Sequence, residues 1–219
     1  MTKRGAVARL LVVVAAAILV LAACGEDEDG GGPQAGEPVQ GGTLTVTFQG
    51  EPTELDPAIA WEITSWSIER LTHETFLTYA SEAGEPGTEL VPALASEVPS
   101  AENGGISADG KVYTFHLREG VKFAPPIDRE VTAADFKWSF ERMMKEPLAP
   151  ATFFYTGIKG AQDFMDGKAD EIVGFKAVDD STVEITLDAP DSSFLMAMTM
   201  PFTSVMPKEW SARVGKDIK

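Results

Sequence analysis

A single cysteine, Cys24, occurs in the chain of 219 residues, together with only two histidines, His73 and His116. One thiol cannot close an intramolecular disulfide, so no covalent staple supports the fold. Two histidines cannot build a three-ligand zinc centre without carboxylates, and no supporting spacing accompanies them. Positive charge is scarce as well: 18 Lys and Arg stand against 34 Asp and Glu, a formal net charge of −16. That balance argues against nucleic acid, whose phosphates must be neutralised by lysine and arginine. There is no Gly-x-Ser-x-Gly elbow to carry a hydrolase serine. No internal repeat is visible.

The one long apolar run, Leu10 to Ala23, holds fourteen uncharged residues behind Lys3, Arg4 and Arg9. Spanning a hydrocarbon core takes about 20 apolar residues. A basic start, an apolar core and small residues at its end describe a secretory signal peptide, with a short membrane anchor helix as the alternative. Leu21-Ala22-Ala23-Cys24 resembles the lipobox of bacterial lipoproteins, in which the cysteine sulfur receives a diacylglycerol and becomes the mature N-terminus. That resemblance makes residues 1–23 a lipoprotein signal peptide and Cys24 the lipidation site. Two or more acyl chains anchor stably where one does not. A lipidated Cys24 tethers the protein outside the cytoplasm and leaves no thiol for catalysis.

Removing residues 1–23 takes away three cations and no anions, leaving 15 Lys and Arg against 34 Asp and Glu, a net −19. Gly25 to Gly42 contains seven glycines, two prolines and five acidic residues, with almost nothing to bury. We read Cys24 and the residues to 40 as a lipidated cysteine and flexible linker, of roughly 25 Å root-mean-square reach. The acidic run Glu26 to Asp29 lacks the glycine and glutamate spacing of a calcium loop and reads as solvated charge.

From Gly41 the pattern changes. In "GGTLTVTF" the residues Leu44, Val46 and Phe48 alternate with threonines, which predicts a strand. A helix is expected from Ser65 to Leu77, with Ile68, Leu71 and Thr75 on one face and Thr64 or Ser65 as its cap. In "SADGKVYTFHLREGVKF" Tyr113, Phe115 and Leu117 alternate with polar partners, and Glu119-Gly120 offers a turn into Val121 and Phe123, a hairpin signal. "VTAADFKWSFERMMKEP" carries a capping box in Thr132 and Asp135, an apolar stripe of Phe136, Phe140 and Met143, and Pro147 as its stop. A second hairpin is written in "GFKAVDDSTVEITLDAP", turning at Asp179-Asp180-Ser181, with Val183, Ile185 and Leu187 inward. Strands and helices alternate without strict βαβ order, so the fold class is α/β in the broad sense, a mixed α+β chain.

Three motifs approach known chemistry and miss it. Gly105 to Lys111 has P-loop spacing, but Val112 replaces the magnesium-binding hydroxyl and the lysine opens a strand. His73-Glu74 begins a zinc-protease signature, yet Leu77 occupies the place of the second histidine. Met196, Met198 and Met200 have thioether spacing suited to copper(I), and also suit packing beside Phe194, Leu195 and Phe202. None amounts to an enzyme, and no cofactor is implied.

The landmarks "GGTLTV", "LDP", "LVPALASEV", "DGKVYTFHLREGVKF", "VTAADFKWSFERMM" and "VDDSTVEITLDAP", in that order, resemble the solute-binding proteins of ABC importers in the oligopeptide and dipeptide group. The resemblance runs from about Gly41 to Lys216. "APPIDREV" stands where the family has a short Asp-Gly turn. Family members run well beyond the length of this chain, so the resemblance implies a periplasmic-binding-protein-like lobe with an inserted subdomain and the second lobe missing. Residues 41–74 and 204–219 would form the partial first lobe, and residues 75–203 the inserted α/β subdomain.

In the family the loop after LDP lines the cleft, where its backbone can pair with an extended peptide. Carried onto this sequence, the ligand-binding positions are Trp61, Glu62 and Ile63. Phe153 and Phe154 join them, with Tyr155 following; Ala151 stands where some relatives have tyrosine, and at least two of the three aromatics are expected to pack in the core. The resemblance implies a non-enzymatic, lipid-anchored, extracytoplasmic monomer. It would capture a peptide or other small solute for ABC permease subunits on the bacterial cell membrane. The alternatives are a lipoprotein interaction or sensing module without transport, and a secreted metal-dependent hydrolase. Ligand identity stays open among dipeptide, oligopeptide, nickel, haem and sugar.

Overall fold

The computed structural model describes residues 41–48 and 50–213, so the expectations for the signal peptide, for Cys24 and for the linker to residue 40 lie outside the described residues. The chain divides into one unit ending at Val46 and a second beginning at Thr47. In the first, residues 41–46 are exposed and in no ladder, with Leu44 87% and Val46 52% exposed. The strand expected over "GGTLTVTF" is not formed. Alternation supplies the faces of a strand, but only a hydrogen-bonded neighbour and a covered apolar face make it stable.

The second unit opens with α1 (Ile63–Thr72), followed by the two-stranded ladder of β1 (Leu77–Tyr79) and β2 (Leu90–Pro92). Its main sheet has three antiparallel strands in the order β3 (Val112–His116), β5 (Thr182–Thr186), β4 (Phe175–Ala177). Val112 to His116 face Thr186 to Thr182, and Phe175 to Ala177 face Ile185 to Val183. The β4–β5 hairpin forms as its sequence predicts. The Asp179 carboxylate accepts the Ser181 N–H at 2.8 Å to set the turn, and Val183, Ile185 and Leu187 are buried.

Helix α2 (Ala133–Lys145) covers this sheet. The Thr132 N–H donates to the Asp135 carboxylate at 2.9 Å, the expected cap, and Phe136, Phe140, Met143 and Met144 are all buried. Phe76 stacks on Phe115 at 4.6 Å and on Phe136 at 3.9 Å, while Phe140 stacks on Phe175 at 4.8 Å. Each such side chain contributes about 1.5–3 kcal/mol of burial. Arg129 reaches the Asp135 carboxylate through two contacts of 2.7 Å and Glu209 at 2.6 and 2.7 Å, tying the start of α2 to α5 (Lys208–Arg213). Between them lie α3 (Ala161–Met165) and α4 (Phe194–Ala197).

Two local expectations are corrected. The helix expected from Ser65 to Leu77 starts two residues earlier and stops at Thr72, because Phe76 and Leu77 leave it for the β1 ladder and the core. Its cap is Glu62, and its buried positions are Ser65 and Glu69, whereas Leu71 is 78% exposed. The hairpin expected across Glu119-Gly120 does not form. The turn is present, with Gly120 at φ 74°, but both edges of β3 are already occupied. One side holds β5; the other receives Gly105, whose carbonyl accepts the Thr114 N–H at 2.8 Å, and Ser96, whose N–H donates to His116 at 2.7 Å. Val121 and Phe123 pair instead with Val131 and Arg129.

The near-miss motifs are absorbed by structure. Lys111 donates its ammonium to the Asp188 carbonyl at 2.9 Å, and Ser107 turns the chain by accepting the Val112 N–H at 2.9 Å. Met198 is fully buried while Met196 is 47% exposed, which fits the packing reading of that run.

Candidate functional site

Asp56, in the LDP turn, organises the segment ahead of α1. Its carboxylate accepts the Ala58 N–H at 3.0 Å, and its carbonyl accepts the N–H groups of Ile59 and Ala60, each at 3.0 Å. Arg142, on α2, grips the same carboxylate with contacts of 2.5 and 2.8 Å. Burial alone would raise the Asp56 pKa, but the Arg142 hydrogen bond and charge outweigh it and hold the carboxyl below its ordinary value. Arg142 also lies over the Trp138 ring at 5.9 Å.

The turn delivers the chain to Trp61, Glu62 and Ile63 at the start of α1. The Trp66 indole N–H donates to the Ala60 carbonyl at 3.0 Å, which locks the approach. Trp61 stacks on Phe202 at 5.6 Å and 25°, meets Trp66 edge-on at 6.0 Å, and remains 52% exposed. Ile63 is 83% exposed. Glu62 is occupied by structure: its carboxylate accepts from Thr64 and Ser65 N–H at 2.6 and 2.8 Å and from the Ser65 hydroxyl. The Ser65 hydroxyl first, then these backbone donors, bring its pKa down to about 2.

Phe153 and Phe154 sit in a 3-10 turn, Thr152–Tyr155, with ring centroids 4.1 Å apart and exposures of 60% and 41%. Only Tyr155 of this trio enters the core, donating its hydroxyl to the Ala197 carbonyl at 2.9 Å, so the expectation that two would pack there is corrected. The structure thus brings Trp61, Glu62 and Ile63 together; among the described residues, no aromatic contact joins Phe153 or Phe154 to the Trp61 cluster.

A cavity of about 800 Å³ takes none of these five residues. It lies on the other flank of the LDP turn, lined by Leu55, Asp56, His73, Trp138, Arg142 and Trp210 among others. Burial pushes the His73 imidazole below its ordinary pKa, with the Asp56 charge pulling the other way. Beside it, Glu69 is 1% exposed and neither carboxylate oxygen has a hydrogen-bond partner. Sequence reasoning missed Arg142, Trp138 and Glu69, since pairing across 86 residues leaves no local signal and a glutamate in a helix reads as surface. Among the described residues no group of three or more His, Cys, Asp or Glu could hold a metal ion.

This arrangement offers aromatic and backbone surfaces for binding. The same class appears in solved structures: the chain superposes on the periplasmic murein tripeptide binding protein MppA, in its unliganded open form, with a TM-score of 0.65 and 30% identity over 77% of this chain and 31% of that one. Residues 89–217 match the family described as bacterial extracellular solute-binding proteins, family 5 Middle, and the chain belongs to that family. It is 31% identical to di/tripeptide-binding protein 1 of Pseudomonas aeruginosa over 180 residues, covering 80% of this chain and 32% of the relative. It is 32% identical to the dipeptide-binding protein of Escherichia coli, over 81% of this chain and 32% of the relative. The chain therefore spans about a third of the length of these relatives.

Proposed function

We propose that the protein is the solute-capturing component of an ABC importer for short peptides, held outside the cytoplasm by a lipid on Cys24. The observation that carries this reading is the half-exposed Trp61, braced on Phe202 and placed directly after the LDP turn in a chain of this family. Relatives named for dipeptides and tripeptides support the ligand class. In this reading residues 41–74 and 204–219 belong to the first lobe and residues 75–203 form an inserted subdomain. Trp61, Glu62 and Ile63 present one wall to an extended peptide, and Phe153 and Phe154 supply further apolar surface. Glu62 acts through its cap, holding the first turn of α1 in place. Closure of a second lobe over the peptide shifts the population towards a form that the permease subunits recognise.

The test is calorimetric titration of di- and tripeptides against a chain carrying the full length of the relatives. Trp61→Ala should weaken binding by about 1–3 kcal/mol, as expected for a packed aromatic contact. Unchanged affinity would remove Trp61 from the site. The cavity favours a second reading, since about 800 Å³ lies within the usual range of ligand pockets. There the peptide sits on the Arg142 flank of the LDP turn, and Trp138→Ala rather than Trp61→Ala weakens affinity. For the anchor, Cys24→Ala should abolish incorporation of labelled fatty acid; a variant that still takes up label refutes lipidation at Cys24.

A further inference from the structure

Helix α1 buries the wrong kind of stripe. Glu62, Ser65 and Glu69 follow one another at spacings of three and four, hence along one face, and the fully buried members are the polar Ser65 and Glu69. The apolar Ile63 and Leu71 are exposed instead. Ser65 is satisfied, since its hydroxyl meets Glu62 and accepts the Glu54 N–H at 3.4 Å. Glu69 is not: it is 1% exposed, and both of its oxygens lack a partner. A carboxylate in that position is far costlier than a neutral carboxylic acid.

Among the described residues, no hydrogen bond or ion pair reaches its carboxylate. Across from α1, Asp56 stands on the LDP turn with its charge already shared with Arg142. On α1 itself, Glu62 is ionised and Arg70 is exposed, and burial pushes His73 at the far end towards its neutral form against the pull of Asp56. The 3-10 turn Pro201–Thr203, whose Phe202 packs on Trp66, carries no titratable group. Burial first, and then the negative charges of Asp56 and Glu62, raise the Glu69 pKa to about 7.

We propose that Glu69 is a proton-carrying positioning residue: neutral, it lets α1 lie against the LDP turn and hold Trp61 and Ile63 in place, and its ionisation loosens that hold. This rests on reading the Trp61 face as the ligand wall. The pH window follows from the raised value. The unfolded group loses its proton near 4.5 while the folded one keeps it to about 7, so the folded form is favoured at low pH and loses ground between those values. Asp56 and Glu62, both lowered, change only below the ordinary carboxylate range. His73, also lowered, acts with the opposite sign, its contribution falling as pH drops below about 6.5.

The experiment is amide hydrogen exchange on the 219-residue chain at pH 6 and pH 8, with and without Glu69→Gln, corrected for intrinsic rates. Glutamine mimics the protonated acid, and His73 is common to both proteins and cancels. The α1 opening constant of the wild type, divided by that of Glu69→Gln, should rise about tenfold from pH 6 to pH 8, while the same ratio for α2 stays constant. A ratio for α1 that does not change with pH overturns the proposal. Carboxyl-carbon NMR of the unsubstituted chain keeps the test independent of whether the variant folds: Glu69 should titrate near neutrality, and titration near 4 to 5 overturns it. Neither measurement involves peptide. A failed peptide titration therefore strikes the ligand wall alone, whereas a pH-insensitive α1 with intact Trp61-dependent binding strikes Glu69 alone.

Discussion

Helices α1 and α2 bury opposite chemistries. Helix α2 turns Phe136, Phe140, Met143 and Met144 onto a sheet that supplies Phe115, Phe175 and Ile185, so apolar cover and apolar stripe meet within one subdomain. Helix α1 turns Ser65 and Glu69 inward and leaves Ile63 and Leu71 to solvent. The first is held by surface removed from water and the second by directed contacts: the Glu62 cap, the Trp66–Ala60 hydrogen bond and the Asp56–Arg142 pair behind the turn. Non-directional burial scales with area and tolerates change gradually, while directed contacts fail when one partner is lost. The ligand wall proposed for the Trp61 face gains from the second arrangement, because its aromatic groups are positioned without being consumed by the core.

That contrast can be broken most severely in α2. Phe136→Ala removes a ring stacked at 3.9 Å on Phe76 and should cost about 3–5 kcal/mol, read as a lower urea midpoint for the whole second unit. A loss under 1 kcal/mol would mean that the sheet does not depend on this helix for its cover. Next comes Arg142→Ala, which leaves the Asp56 carboxylate largely buried without its cation. Both side chains retain some solvent contact, 26% for Arg142 and 14% for Asp56, so the cost should be about 1–3 kcal/mol rather than that of a fully buried pair.

The pair also carries a pH signature. Asp56 has a lowered pKa in the folded chain, so its stabilising contribution is present above the ordinary carboxylate value of 3.8 and is lost as pH falls through the folded value. Arg142→Ala should flatten this acid limb of the stability curve; a limb unchanged by the substitution would assign it to other carboxylates. The smallest effect is expected at Leu71→Ala. At 78% exposure the side chain should change stability by less than about 0.5 kcal/mol, although apolar periodicity places it on the buried face. A loss above 1 kcal/mol would show that α1 is turned around its axis from the orientation described.

What could be read beforehand follows the same division. The β4–β5 hairpin and α2 were legible because their signals are local: an Asx turn at Asp179, an alternation through Leu187, and a capping box at Thr132. The pairing of β3 with β5 was not, since the equally good local hairpin at Glu119-Gly120 loses only because Ser96 and Gly105 occupy the other edge. The LDP landmark points to Trp61 and Ile63 as the proposed wall, whereas the bracing of Trp61 by Phe202 joins positions that no periodicity connects. Glu69 was invisible for a chemical reason. A glutamate in a helix is ordinarily solvated, and nothing in "WSIERLTH" signals that this one faces inward.

Arg129 constrains how this molecule can change by descent. One planar cation serves two masters, the Asp135 carboxylate that caps α2 and the Glu209 carboxylate on α5. Replacement of Glu209 disturbs one of those pairings and leaves the cap whole. Replacement of Arg129 disturbs both in a single step, and lysine, with its compact point charge, cannot reproduce the fork. A change at position 129 therefore acts on both ends at once, whereas a change at 209 acts on one pairing alone.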